Sequence, residues 1–570
     1  MAADTAAPAP PRSQGEEPGF STPIGLADHL LSAACLLIIL FCLLQILTFG
    51  YGRDQGIYAM AGKIVLQGGM PYRDAWDFKP PGIFLIYAAS RAVFGAEQGG
   101  IRITECLGLA AMIGAMAHFC HHTWGNYRIG LCAGAIAALA HAQLDFWHTA
   151  QPESFGGMVT IFALIALGPG ALSGLPRGDR PALFDKHALR RFALSGALFG
   201  FAGLLKPPLA GGGAVVAVAL AVRAFQAAHR PKAPLGPAIR AAIRPILAVA
   251  AGGIAPLLLC ALWFAARGAL GSLWDVLFVF TPHYTALSWV GETLGGMVYW
   301  GFTEWLTAYS SVPTVGLFLF FIFQPRRRER FGAMVIGALI ALHIAGVVMQ
   351  GKFFPYHYGA TWPLTALLGG LGFFRVFELF RRFGAAGSIL FITAASSVAL
   401  GRTATHDVEG SFRERCRQRI ELFSHRPRDQ AAIDKLASVA DVNAGANRAV
   451  ATYLRDHIPA DRPVFVWGFE PVIYDLADRR PATRYLYDVP QRVAWAKQKE
   501  RAVLMDDLRR SVPAAIVVEH RDVFPMVTGD AIDSADTLAN FGELRDLLNE
   551  RYRIGMSIED FDIYVERRGE

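Results

Sequence analysis

Residues 51–87 read YGRDQGIYAMAGKIVLQGGMPYRDAWDFKPPGIFLIY, from Tyr51 to Tyr87. The stretch follows directly on the apolar run Leu30–Phe49. It gathers Arg53, Asp54, Lys63, Arg73, Asp74, Asp77 and Lys79 on a loop punctuated by Gly and Pro. Charge of both signs beside a hydrocarbon phase is costly unless it is paired or used. The loop therefore marks a polar centre built at a membrane edge.

The composition agrees with a polytopic membrane protein. Of 570 residues, 53% are hydrophobic and only 18% are charged, which excludes a large soluble protein. The net charge of +7 is accounted for by basic loops facing anionic lipid, and no nucleic acid partner is implied. Cys35, Cys42, Cys106, Cys120, Cys132 and Cys260 lie in apolar runs, where Cys behaves as a small hydrophobe. Only Cys416 lies in the hydrophilic tail, which leaves that tail no internal disulfide. No CxxC or Cys/His metal spacing occurs. Residues 1–26 are polar at the start, without a signal-peptide pattern. They are expected to form a flexible cytoplasmic terminus, and the first apolar run to remain as an anchor.

A bilayer-spanning helix needs roughly 20 apolar residues. Spans are expected at Leu30–Phe49, Ile103–Phe119, Ile129–Phe146, Phe155–Leu172, Ala248–Phe264, Leu306–Phe323, Phe331–Met349, Tyr358–Phe374 and Ala385–Leu400. The run Phe192–Val222 is too long for one span, and Lys206-Pro207-Pro208 interrupts it. It reads as two short helices with the lysine at their tip, which brings the expected count to eleven spans.

Positive charge supports that count. The loops Pro176–Arg191, with Arg177 and Arg180, Arg223–Arg244, Gln324–Arg330 and Arg375–Arg382 are all basic. With eleven spans and a cytoplasmic amino terminus, all of them fall on the cytoplasmic side. Residues 50–102, His148–Ser154, the Lys206 tip, Gly268–Gly296 and Gln350–His357 then share the opposite face. Residues 27–401 form the membrane domain in this reading. Residues 402–570 are richly charged and contain no spanning run. Strands are expected at Pro463–Gly468, Ala514–Glu519 and Phe561–Glu566, and helices at Val472–Ala477, Ala502–Arg510 and Leu538–Asn549. The fold class is a polytopic α-helical membrane protein with a soluble C-terminal α/β domain on the face of the first loop.

The arrangement Arg53-Asp54-Gln55, Tyr58, Gly68-Gly69, Pro71-Tyr72-Arg73-Asp74 and Asp77-Phe78-Lys79-Pro80-Pro81-Gly82 after the first span resembles a known family. It is similar to the protein-mannosyltransferase-like polyprenyl-phosphate-sugar glycosyltransferases of the GT-C fold class. The resemblance covers roughly Leu30–Leu400. It implies an inverting transferase acting at the outer face of a bacterial inner membrane. The implied partners are a polyprenyl-phosphate-linked sugar donor, an envelope glycan, lipid or protein acceptor, and membrane lipids.

The residue types suit that chemistry. A carboxylate can take the proton of an acceptor hydroxyl, and cations can stabilise a departing lipid phosphate. Direct displacement inverts the anomeric centre and needs no protein nucleophile. Asp54 occupies the position of the family's first-loop acidic residue, and Gln55 stands where Glu usually follows. Asp54 is thereby the candidate base; the alternative is a helix cap. The prolines after Lys79 keep it out of a regular helix, so that it can face a phosphate with Asp77 holding it. The alternative is a surface ion pair. Lys206, inside an apolar run, is a candidate phosphate ligand or else an interfacial lysine.

Asp74, Asp77, Glu153, Tyr356 and His357 are candidate substrate contacts. Helix capping is the rival role for Glu153, and the interfacial aromatic belt for Tyr356. No cofactor is required on this reading. A divalent cation, Mg²⁺ or Mn²⁺, stays open, because Asp54, Glu153, His148 and His357 are capable ligands without a diagnostic spacing. The rival functions are a transporter or flippase of lipid-linked sugars, and a non-catalytic envelope assembly subunit. A transporter is expected to show repeated halves, which the sequence lacks.

Overall fold

The computed structural model describes residues 25–144, 148–174, 185–229, 234–307, 311–401, 412–424, 429–438 and 442–567. The terminus 1–24, Phe146, Arg177, Arg180 and the junction 402–411 lie outside the described residues. In chain order the first part contains α1 (Leu26–Ile46), α2 (Arg53–Leu66), α3 (Gly82–Phe94), α4 (Gln98–Phe119), α5 (Tyr127–Gln143) and α6 (Pro152–Ala166). There follow α7 (Lys186–Leu205), α8 (Gly211–Ala228), α9 (Gly236–Ala266) and the short α10 (Leu270–Trp274) and α11 (Thr281–Leu287). The membrane domain closes with α12 (Leu294–Thr307), α13 (Ser311–Ile322), α14 (Arg327–Gln350), α15 (Trp362–Arg381) and α16 (Gly384–Gly401).

Among the described residues, seven helical stretches are long and apolar enough to cross a bilayer, and eight if α12 and α13 form one broken span. Helices α3, α6 and α16 are apolar but shorter. The expected eleven spans exceed what length and composition alone return. Helix α9 turns Leu257, Leu258, Leu259 and Leu262 outward, and only 11% of its most apolar window is buried, as expected of a lipid-facing helix.

The tip at Lys206 forms as the sequence predicts. Pro207 cannot donate to a helical hydrogen bond and disfavours helical geometry in the residue before it. Helix α7 therefore stops at Leu205, and Lys206 is extended, with φ −150° and ψ 117°. A 3₁₀ turn, Pro207–Ala210, then leads into α8. The expected span Leu306–Phe323 is displaced. Its first residues end α12, and a separate helix starts at Ser311. Tyr299, Trp300 and Phe302 lie inside α12 with their side chains exposed. The expected loop Gly268–Gly296 is likewise largely helical.

The basic loops meet at one end of the bundle. Arg375 reaches Glu378 at 2.8 Å and also pairs with Glu329. Arg326 pairs with Glu378 at 3.1 Å, and Arg381 with Asp28 at 3.0 Å. Arg328 donates to the Thr123 carbonyl at 3.0 Å.

The tail sits at the other end. It carries α17 (Phe412–Ser424), α18 (Gln430–Ala437), α19 (Ala444–His457) and α20 (Val472–Ala477). Its strands are β1 (Val464–Trp467), β2 (Ala515–Glu519), β3 (Tyr552–Ile558) and β4 (Phe561–Glu566), in the order β1-β2-β4-β3. Strands β1 and β2 run parallel, and both other pairings are antiparallel. Strands β1 and β2 are wholly buried, which explains their unbroken apolar sequence. The sheet adds β3 to the expected strands.

This domain docks directly on the first loop. The Trp76 amide donates to the Arg484 carbonyl at 2.8 Å. Arg91 pairs with Asp475 at 2.9 Å and Lys63 with Asp478 at 2.7 Å. Helix α2 approaches α20 so closely that a Cβ on Gly56 would lie 2.9 Å from the Val472 amide nitrogen.

Candidate active site

The site is assembled where α2, α6, the α7–α8 tip and the segment before α15 converge beneath the tail domain. Helix α2 starts after Gly52, not at Asp54. Buried Gln55 supplies the cap: its Oε1 accepts from the Gly52 amide at 2.7 Å. Its Nε2 donates to the Thr149 carbonyl at 2.9 Å. Gln55 thus performs a task that needs both a donor and an acceptor, which a carboxylate cannot provide. The cap leaves the Asp54 carboxylate to face Lys79, whose Nζ lies 3.4 Å from Oδ2.

Lys79 is buried among aromatic faces. Its ammonium lies 5.0 Å from the Phe78 ring centre, 5.8 Å from Tyr58 and 5.7 Å from Tyr356. Burial works against this charge, but Asp54, Asp77 and Glu153 outweigh it and hold the lysine above its ordinary pKa. Asp77 does not grip the Lys79 side chain. Its carboxylate accepts from the Lys79 amide at 3.4 Å and from the Tyr487 hydroxyl at 2.7 Å. Burial pushes the Asp77 carboxyl up, against the opposing pull of Lys79 and Tyr487.

The second pair is Lys206 with Glu153, Nζ to Oε1 at 2.6 Å. Gln151 precedes α6 and bonds reciprocally with Ser154, so Glu153 in the first turn is not the cap. The two lysines are close enough that each feels both Asp54 and Glu153. His357 stacks edge-on against Tyr356, with ring centres 4.6 Å apart, and so lies beside the first pair. Asp74 has a different role: it accepts from the Met70 amide at 2.7 Å and pairs with Arg73 at 2.7 Å, closing the loop.

Two further cations named by the sequence reading, Lys352 and Arg53, lie at the border of the site with the tail. Lys352 donates to the Met526 carbonyl at 2.5 Å and lies 4.0 Å from the Tyr284 ring centre. Burial pulls its pKa down to about 8. Arg53 faces Glu470 at 3.1 Å and Glu519 at 3.6 Å, both from the tail. Tyr487 is legible only once the tail is docked. An apolar groove of about 780 Å³ runs between α12, α13 and α14, lined by Trp289, Val298, Trp305, Ile340 and Met349 among others. It opens near Lys352, since the Trp289 indole donates to the Met349 carbonyl at 3.0 Å.

Among the described residues no three His, Cys, Asp or Glu side chains gather as metal ligands. Asp54 and Glu153 each face a lysine instead.

The bundle, its first-loop helices and the docked tail define the chain as a membrane protein of the GT-C fold class. Its fold matches that of ArnT from Cupriavidus metallidurans bound to undecaprenyl phosphate, with a TM-score of 0.52 at 13% identity over 94% of this chain and 97% of that one. The apo state of that protein matches with a TM-score of 0.53, at the same identity and coverage. An oligosaccharyltransferase of Archaeoglobus fulgidus is matched more loosely, with a TM-score of 0.46 at 11% identity over 86% of this chain and 69% of that one. No family model and no curated protein matches the chain.

Proposed function

We propose that this protein is an inverting membrane glycosyltransferase that moves a sugar from a polyprenyl-phosphate donor to a cell-envelope lipid, glycan or protein. The observation that carries the reading is the meeting of two lysine–carboxylate pairs, Asp54–Lys79 and Glu153–Lys206, from separate parts of the chain. Such a site offers cations for a leaving phosphate and a carboxylate for a hydroxyl proton. The bound ligand named for the Cupriavidus ArnT structure, undecaprenyl phosphate, is a product of the expected class.

On this reading the prenyl chain lies in the groove between α12, α13 and α14. The donor phosphate engages Lys79 and Lys206. Asp54 takes the proton of the acceptor hydroxyl as its oxygen bonds the anomeric carbon. The bond from that carbon to the phosphate oxygen breaks, and polyprenyl phosphate departs with the electron pair. Glu153 orients Lys206 and contacts the sugar, while Tyr356 and His357 wall the pocket. Asp77 holds the backbone of Lys79. The basic end of the bundle faces the cytoplasm, as charge bias favours, and the site faces outward at a bacterial inner membrane.

Incubating the purified protein with a polyprenyl-phosphate sugar tests the reading. Release of polyprenyl phosphate, lost in Asp54→Asn, is expected. Movement of the intact donor across the bilayer without cleavage contradicts it and indicates a transporter.

A further inference from the structure

A buried ionic network lies beside the site and is used by none of the steps above. Arg102 and Glu105 are completely buried, and His141 is nearly so. Arg102 Nη1 meets Glu105 Oε2 at 3.0 Å, and His141 Nε2 meets Glu105 Oε1 at 2.8 Å. We propose that this triad is a positioning device that fixes the spacing of the Asp54–Lys79 and Glu153–Lys206 pairs. The proposal rests on the transfer reading above.

The argument is one of connections. Arg102 donates to the Phe49 carbonyl at 3.3 Å and to the Gly50 carbonyl at 2.5 Å. Those carbonyls lie just ahead of α2, which carries Asp54. Glu105 accepts from the Ala150 amide, just ahead of α6, which carries Glu153. A single carboxylate thus ties together the entries of both site helices. Ala150 has φ of +53°, a conformation that alanine adopts only when its surroundings impose it.

Other bonds lock the same segment. Tyr87 donates to the Ala150 carbonyl at 3.1 Å, and Tyr58 to Gln151 Oε1 at 3.3 Å. His141 packs edge-on against His148, with ring centres 4.4 Å apart.

Stability alone does not call for such a network. Buried ion pairs are often replaced by apolar side chains without loss of stability. Apolar side chains, however, cannot grip two carbonyls and an amide from different segments. Placement of the site is the function left to the charges. Arg102 and Glu105 stand one helical turn apart, Arg102 at the expected end of the first loop and Glu105 in the apolar run that follows.

The test compares the full-length wild type with Arg102→Met/Glu105→Leu in lipid nanodiscs. Amide hydrogen exchange is followed at residues 49–55 and 148–154, and release of polyprenyl phosphate from a polyprenyl-phosphate hexose is timed. The double variant frees the Phe49, Gly50 and Ala150 backbone groups, so its melting temperature is expected to fall, but it is expected to stay folded and inserted at the assay temperature and to exchange at least about tenfold faster in both segments. Its kcat is expected to fall roughly 100-fold, with donor KM changed less than about threefold. Unchanged exchange, faster exchange in one segment only, or unchanged kcat overturns the proposal.

If the double variant fails to fold, Glu105→Asp keeps the charge but withdraws the carboxylate. The same split between kcat and KM is then expected, and its absence overturns the proposal. If the wild type releases no polyprenyl phosphate, the transfer reading fails. The exchange of the two segments then decides alone whether the triad couples them.

Discussion

The Tyr487 hydroxyl donates a 2.7 Å hydrogen bond to Asp77 Oδ1, joining the tail domain to the first loop beneath Lys79. The tail domain thereby contributes a side chain to the cluster around Lys79. Because Asp77 is buried, loss of the donor leaves a carboxylate less well satisfied.

Tyr487→Phe is expected to destabilise the docked state by about 1–3 kcal/mol and to lower activity. Its effect depends on pH. Burial raises the Asp77 pKa in the folded state, so the folded protein holds that proton more tightly than the unfolded chain. This contribution to stability falls as pH rises from the ordinary aspartate value through the raised one. Removing the tyrosine, which lowers the pKa, extends the fall to higher pH. Melting temperatures of the variant and wild type across that window check this; identical pH slopes contradict it.

Gly56→Val tests the docking itself. The added carbon meets the Val472 backbone, which cannot swing aside. Overpacking of this kind costs about 1–3 kcal/mol. The tail is expected to become more sensitive to protease at its junction with the bundle while the bundle remains inserted. An unchanged cleavage rate rejects the close approach of α2 to α20.

Lys206→Met leaves Glu153 buried without its cation, a loss of about 3–5 kcal/mol. Lys206→Met/Glu153→Gln removes that imbalance. The double variant is expected to recover most of the thermal stability and little of the activity. Recovery of both places the pair outside the chemistry.

Lys352 titrates in an accessible range. Burial lowers its pKa from 10.5 to about 8, so between these values the unfolded chain holds more protons than the folded one. Stability from this group therefore rises as pH climbs through that window. Lys352→Met should lack the rise, which denaturant titration at pH values spanning the window measures.

Parts of this architecture were legible and others were not, for physical reasons. The break at Lys206 is written in Pro207 and Pro208. Strands β1 and β2 announce themselves as buried apolar runs. Strand β3 does not, because Arg553, Ile554, Gly555, Met556 and Ser557 all lie exposed on a sheet edge and show no alternation. The loop residues Asp54 and Lys79 stood out as charges beside hydrocarbon. Their pairing, and that of Glu153 with Lys206, depends on tertiary packing. Asp74 looked equivalent to Asp77 in sequence, yet one closes a turn and the other is buried under Tyr487. The buried Arg102–Glu105 pair was hidden by lying where a loop was expected to end.

The most direct test is a structure of the full-length protein in lipid with bound polyprenyl phosphate. The account predicts phosphate oxygens within about 3 Å of the Lys79 and Lys206 ammonium groups, beside Asp54. A phosphate bound instead among Arg326, Arg328 and Arg375, at the opposite end of the bundle, contradicts it.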